Sequence, residues 1–339
     1  MRILLIMNPG IPVPPVLYGG IERVVYLLAQ EYHKMGHEVT LLAGHGSHCS
    51  GTVITIGAGD SEARWPGYRE IGFAWKFLMQ NHKNFDLIHN FGRLIYLLPI
   101  VKSPTIKVMS YQRAVSAKGI KLISSLPARS LLFTGCSNYC VSTGNVAGTW
   151  KTVYNTINFD DYQLTEQVAD DAPLMFLGRL DQIKGAHTAI RVARETSNKL
   201  IIAGNIPDTE DNYSYYKSEL EPQFDGEQII YIGAVDDRKK NEYLGKCKAL
   251  LFPIEWDEPF GIVMIEAMAC GTPVIAFKRG AVPEVINEQT GVIVNSAEEM
   301  TAAVRSIDRL DRAACRRVAV ERFDISIIAN EYLNSFQNA

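Results

Sequence analysis

Charge of one sign is what this chain lacks most plainly. Its 339 residues carry 34 Lys and Arg against 37 Asp and Glu, a formal net charge of −3. The strongly basic surface of a nucleic-acid binder is therefore missing, and DNA or RNA is not expected as its main partner. Cysteine is sparse and scattered, at positions 49, 136, 140, 247, 270 and 315, and Cys136 and Cys140 have no second pair at metal-ligand spacing. No zinc site is expected, and the thiols read as reduced ones in a cytoplasmic protein. The opening apolar run, RILLIM, stops at Asn8-Pro9-Gly10, too short for a signal-peptide core and far too short to span a bilayer. Short-period repeats and low-complexity tracts are also absent. So is a G-x-G-x-x-G after the first apolar run, which counts against a dinucleotide dehydrogenase.

What is present is a globular composition, 47% hydrophobic and 21% charged, in a chain long enough for two domains of roughly 150 residues. The first half alternates β-rich runs with amphipathic helical ones: RILLIM, a helix from about Ile21 to Met35 stopped by Gly36, then EVTLLA, TVITI, DLIHN, TIKVM and LLFTGC. The pattern restarts at Pro173 with LMFLG, KLIIAG, QIIYIG, KALLFP, PVIAF and GVIVN. Strands trailed by helices make parallel α/β sheets, so two doubly wound, Rossmann-like domains in tandem are expected. Polar, acidic residues between Tyr154 and Pro173 read as the connector. The expected organisation is a first domain over 1–157, a linker over 158–172, a second domain over 173–310, and a C-terminal helical segment over 311–339 that can pack across both.

Ligands of open α/β sheets bind beyond the carboxyl ends of the strands, so loops that follow strands carry the information. After the first strand, a Pro-rich loop closes on Gly19-Gly20 at a helix mouth, either a backbone approach to an anion or a plain tight turn. In the second half, GRLDQIKG places Arg179 and Lys184 in one strand-to-helix loop, as a diphosphate clamp or as solvated cations. The stretch DEPFGIVMIEAMACGTP contains a lone carboxylate, Glu266, inside a helix that is apolar on every side. An unpaired carboxylate buried there would cost several kcal/mol, so Glu266 needs either a protein cation or the hydroxyls of a ligand. Glu258, at the mouth of the same helix, is a second acceptor, and two carboxylates with two cations suit a ligand with sugars at both ends and phosphates between. In DLIHNFGRL, His89 and Asn90 end a first-half strand, with a site-facing role or a packed one both open.

These stretches resemble a known pattern. GRLDQIKG is similar to the G-R-L-x-x-x-K-G element, and EPFGIVMIEAMACGTPVIA to the E-x₇-E element, of the retaining nucleotide-sugar glycosyltransferases of family 4, which have the GT-B fold. The two lie about 80 residues apart in the expected order, and YGGIERVVYLLAQEYHKMGHEVTLLA and GAVPEVINEQTGVIV extend the resemblance over essentially the whole chain. The resemblance implies two Rossmann-like domains facing across a cleft, with Arg179 and Lys184 neutralising the donor's diphosphate and Glu258 holding the transferred sugar with backbone around Phe260, Gly261 and Ile262. It implies Glu266 on the ribose, the base read by backbone near Ala234 and Val235, and close backbone approach at Gly19, Gly20, Gly178 and Gly204. No cofactor and no metal are expected, because two cations can do a divalent ion's work; the co-substrate is a nucleotide diphosphate sugar, with UDP favoured over GDP or ADP. Family members often carry His-x-His where this chain has His89-Asn90-Phe91, so Asn90 or Arg113 is expected to substitute on the acceptor side. The linker's NTIN also departs from the usual Asn-Gly-Ile-Asp.

The expected activity is therefore transfer of a hexose-type sugar, with retention, to an acceptor hydroxyl whose identity the sequence does not give. A sugar-nucleotide epimerase and a catalytically silent sugar-nucleotide or glycan binder are the competing expectations. Membrane association is a further one: SAKGIKLISSLPARS (residues 116–130) mixes cations with apolar residues as an interfacial helix does, although a cleft-lining segment is favoured for it.

Overall fold

The computed structural model describes residues 1–16, 19–56, 67–126, 130–144 and 147–337. The chain divides into two compact units, one comprising residues 1–156 with 325–339 and the other residues 157–324.

The first unit is built on a seven-stranded sheet in which all pairings are parallel. Its strands are β1 (Arg2–Ile6), β2 (Glu38–Ala43), β3 (Thr52–Thr55), β4 (Leu87–Asn90), β5 (Ile106–Tyr111), β6 (Leu131–Gly135) and β7 (Thr149–Thr152). The order is β3-β2-β1-β4-β5-β6-β7. The central strands are near-continuous apolar runs because parallel sheets are covered on both faces: Ile3, Leu4, Leu5 and Ile6 of β1 have no exposed surface. Strand β7 has the sequence TWKT and none of its residues is fully buried. It forms the sheet edge, without the apolar run that marks the other six. Helix Gly20–Lys34 presents Val24, Val25, Leu28, Ala29 and Tyr32 to the core at the spacing of one helical face, and the chain leaves it through Gly36 at φ 83°.

The second unit holds β8 (Leu174–Leu177), β9 (Leu200–Ala203), β10 (Ile229–Tyr231), β11 (Ala249–Phe252), β12 (Val274–Phe277) and β13 (Gly291–Val294). They are paired in parallel in the order β10-β9-β8-β11-β12-β13. Helix Ile262–Ala269 is buried from Met264 onward. It ends in a doubled bond, Gly271 N–H to Met268 O at 2.9 Å and Thr272 N–H to Ala267 O at 2.9 Å, around the left-handed Gly271, the usual way a glycine closes a helix.

The C-terminal segment is two helices, Arg312–Phe323 and Ile325–Gln337, the first in the second unit and the other in the first unit. Arg316 donates to the carbonyls of Phe159, Tyr162 and Ala269 at 2.8, 2.7 and 2.5 Å, and Arg312 donates to that of Thr165 at 2.6 Å. The polar stretch after residue 157 is therefore pinned to the second unit along its first turn and beyond.

Candidate active site

In each sheet the strand order reverses at one place, between β1 and β4 in the first unit and between β8 and β11 in the second. Crevices open beyond the carboxyl ends of the strands at such switch points. The four loops singled out by sequence follow these four strands.

In the second unit the loops after β8 and β11 are brought together by backbone. Glu255 N–H donates to Ile183 O at 2.9 Å. Gly185, at φ 77°, lies so close to β11 that a Cβ there would come 2.0 Å from Pro253 O. This approach places Lys184 Nζ 2.8 Å from Glu258 Oε2, both side chains mostly buried. Trp256 Nε1 donates to the same Oε2 at 3.1 Å, and Lys184 Nζ stands 5.1 Å from the Trp256 ring centre, within reach of its π-face. Arg179 turns its Nη2 to Asp181 Oδ2 at 2.5 Å, so that buried aspartate holds the guanidinium at the end of β8. Behind them Gly204 lies against Gly178, where a Cβ would come 1.7 Å from Gly178 O. Only glycine allows that approach.

Glu258 is held from a second side that sequence reading missed. Ala281 N–H donates to Glu258 O at 2.8 Å, and a Cβ on Gly280, at φ 51°, would come 2.3 Å from the same oxygen. The stretch KRGAVPEV after β12 carries this contact, but from the sequence GAVPEVINEQTGVIV enters only as part of the resemblance. Phe260 is buried edge-on to Phe323 at 5.7 Å, so its backbone alone can meet a ligand. Gly261 caps helix Ile262–Ala269 in a left-handed conformation, and amides of a first helical turn have no intrahelical acceptor.

Glu266, on that helix, has its partner within the protein. Lys240 Nζ meets Oε1 at 2.5 Å and Tyr162 OH donates to the same oxygen at 3.1 Å. Burial pulls the Lys240 ammonium down, but Glu266 and Asp237 outweigh it and hold it above the ordinary lysine value. Neither Lys240 nor Tyr162 was found by sequence, since both come from distant segments and nothing local marks them. The two glutamates share one design: a lysine and an aromatic donor take one oxygen, and among the described residues no hydrogen bond reaches the other, Oε1 of Glu258 or Oε2 of Glu266. Ala234 is exposed and Val235 half-buried after β10, beside Gly204, whose N–H donates to Gly233 O at 2.9 Å.

In the first unit His89 takes the packed alternative and Asn90 departs from its expected role. His89 is fully buried, with Nε2 2.7 Å from Ser110 Oγ, and is flanked by the rings of Phe91 at 4.2 Å and Tyr332 at 4.6 Å. Burial drives its pKa down to about 3, so the packed alternative describes it. Asn90 is also fully buried. Its amide donates to Arg93 O at 2.9 Å and its oxygen accepts from Gly92 N–H at 2.9 Å, so it staples a turn and has no donor or acceptor directed at an acceptor sugar. At the mouth of helix Gly20–Lys34, Glu22 folds back until a Cβ on Gly19 would come 2.9 Å from its Oε2, and burial raises the Glu22 carboxyl. A Glu22 carboxylate oxygen thus lies beside Gly19, at the helix end where backbone approach of Gly19 and Gly20 to a phosphate is expected from the sequence. Arg113 remains exposed after β5.

Comparison with known proteins fits this geometry. Residues 164–317 match the family described as Glycosyl transferases group 1, and residues 18–109 that described as Glycosyltransferase Family 4. The chain belongs to the family 4 type of GT-B glycosyltransferases. Among relatives of this glycosyltransferase, an uncharacterized 41.2 kDa protein in the cps region of Klebsiella pneumoniae is 26% identical over 78% of this chain and 74% of its own. A phosphatidyl-myo-inositol mannosyltransferase of Propionibacterium freudenreichii is 29% identical over 51% of this chain and 47% of its own. In fold, the glycosyltransferase is similar to Anabaena HepE crystallised with UDP, at a TM-score of 0.78 and 19% identity over the full length of both chains. Against the two relatives, the chain spans between about half and three quarters of their length. Among the described residues, no helix is long and apolar enough to cross a membrane.

Proposed function

We propose that this glycosyltransferase takes a hexose-type sugar from a nucleotide diphosphate sugar, a UDP-sugar in the first place, and transfers it with retention and without a divalent metal to an acceptor hydroxyl. The observation that carries the reading is the pair of half-used glutamates, Glu258 fastened by Lys184 and Glu266 by Lys240. Glu258 Oε1, which among the described residues receives no hydrogen bond, can accept from hydroxyls of the transferred sugar, while Glu266 Oε2 can accept from the ribose. Lys184 uses one of its three donors on Glu258, leaving two for the diphosphate. Arg179, steadied by Asp181, adds a planar fork on the leaving group. As the sugar–phosphate bond breaks, negative charge gathers on the β-phosphate, and these fixed cations stabilise it more than they stabilise the bound donor. The amides of Gly261 and Ile262 can bind the sugar or the phosphate from the helix end. We assign no side chain of these loops a covalent role, so the acceptor hydroxyl attacks on the face from which the diphosphate departs and passes its proton to the departing β-phosphate oxygen, which retains configuration. The HepE structure solved with UDP supports uracil as the base, and the backbone at Ala234 and Val235 is the proposed place for it.

The test is a panel of nucleoside diphosphates in thermal shift, followed by transfer assays on Lys184→Ala and Glu258→Gln. UDP at ~100 times its dissociation constant is expected to stabilise by about 2.7 kcal/mol. Each substitution is expected to lower transfer by roughly 10²–10³-fold, the usual loss of one fixed charge-stabilising group. Turnover near the wild-type rate in both variants would overturn the site.

A further inference from the structure

Balanced net charge hides a strong asymmetry. Residues 1–156 hold 15 Lys and Arg against 7 Asp and Glu, residues 157–339 hold 19 against 30, and between Asp86 and Asp160 there is no acidic residue at all. Such a split between halves points to an anionic partner for the basic one.

Within the first unit, the cations of this stretch share a surface with apolar side chains. Helix Tyr68–Asn81 packs against the tight helical stretch Leu94–Ile100, to which Trp75 Nε1 is tied by a 2.8 Å bond to Ile95 O. Helix Ala117–Ser124 reaches the same stretch through Gly119, where a Cβ would lie 3.6 Å from Leu94 Cδ2. Ala74, Leu78, Tyr96, Leu97, Ile120 and Ile123 bury the inner sides of all three in one core. Their outer sides carry Phe73, Met79, Ile95 and Leu122, at 43, 56, 40 and 66% exposure, interleaved with exposed Arg69, Lys76, Lys118 and Lys121. Among the described residues, Glu70 is half-buried and acts electrostatically on Tyr96, and Asp86 is engaged by Arg2.

We propose that this face docks on the surface of an anionic lipid bilayer, with Phe73, Ile95 and Leu122 entering the headgroup boundary and Arg69, Lys76, Lys118 and Lys121 meeting the lipid phosphates. Apolar and cationic side chains side by side are what an interfacial element needs. A soluble polyanion would be met by the cations alone, and four exposed large apolar groups would have no role. The docking rests on the first unit only and does not require the donor reading above. Residues 127–129 of the segment first suspected lie outside the described residues, and the surface does not need them.

Sedimentation of the full chain with vesicles tests it, using phosphatidylcholine alone, phosphatidylcholine with phosphatidylglycerol, and the mixed vesicles at high salt. Binding is expected only to the mixed vesicles and to weaken with salt. Replacing both Lys118 and Lys121 by Gln should weaken partitioning roughly 30-fold, the product of about fivefold for each cation near an anionic surface. Phe73→Ser with Leu122→Ser should weaken it at both salt levels. All four positions are exposed, so the thermal midpoint and the UDP-induced shift should stay as in the wild type, which separates failure here from failure of the donor site. Two results would overturn the proposal. One is absence of binding to the mixed vesicles. The other is equally tight binding to dextran sulfate with no effect of the apolar replacements, which would assign the face to a soluble polyanion.

Discussion

His89 offers the sharpest check on the structural reading, because its packing has an energetic signature in acid. Its pKa is 6.5 in an exposed setting and about 3 here, lowered by burial between Phe91 and Tyr332. A base whose folded pKa is depressed contributes stability that is complete above the unfolded value and is lost as pH falls toward the folded one. The window is therefore from 6.5 down to about 3. At about pH 4.5 the unfolded chain protonates this histidine almost completely and the folded chain does not. Two pH units at 1.36 kcal/mol each give a loss of roughly 3 kcal/mol relative to neutral pH. His89→Gln removes the titration and costs about 1 kcal/mol at every pH by weakening the bond to Ser110. The assay is a urea titration at neutral pH and at about pH 4.5, read by hydrogen exchange at β4 and β5 amides so that the first unit is followed by itself. Carboxylates elsewhere soften both proteins equally in acid; the difference between them isolates His89. If the variant loses as much stability as the wild type, the buried neutral histidine is wrong. If its sugar transfer at neutral pH falls a hundredfold while its stability holds, His89 belongs to the chemistry and is not merely packed.

Two further outcomes follow from the second unit. Gly185→Ala places a Cβ against Pro253 O in a left-handed conformation; a cost above about 1 kcal/mol is expected, seen as a thermal midpoint lowered by roughly 3 °C or more, and an unchanged midpoint would refute the close approach of the two loops. Lys240→Met leaves the Glu266 carboxylate without its cation in a buried place, at an expected cost of roughly 3–5 kcal/mol by denaturation. Adding Glu266→Gln should recover most of that loss, and failure to do so would mean that Lys240 stabilises the fold by other contacts.

Twelve of the thirteen strands were readable because interior parallel strands must be apolar along their length, and β1 and β11 are so covered that no polar residue intrudes after their first position. Strand β7 was not readable, since an edge strand with polar residues carries no such signature. Legibility of the loops followed from topology: glycines and charges directly after β8 and β11 had few structural reasons to be there. Partners were another matter. Glu266 announced that something must pair with it, but Lys240 lies 26 residues upstream and Tyr162 lies 104, and no local rule connects them. His89 and Asn90 misled for the opposite reason, because polarity at a strand end looks the same whether the side chain serves a ligand or a buried turn.

A glutamate ordinarily spins about its last bond and accepts a hydroxyl from wherever it arrives. Glu258 and Glu266 have given up that rotation, each with one oxygen fastened by a lysine together with an indole or phenol. The remaining oxygen of each then points along one line. Sugars that differ only at a single stereocentre have the same size and charge, so a pocket cannot sort them by fit; a lone pair of fixed direction can, because the axial and equatorial hydroxyls leave the ring at different angles. On the proposed donor placement, selectivity among epimeric sugars would reside as much in Trp256, which would touch no sugar, as in Glu258, and Tyr162 would give Glu266 the same fixed direction toward the ribose.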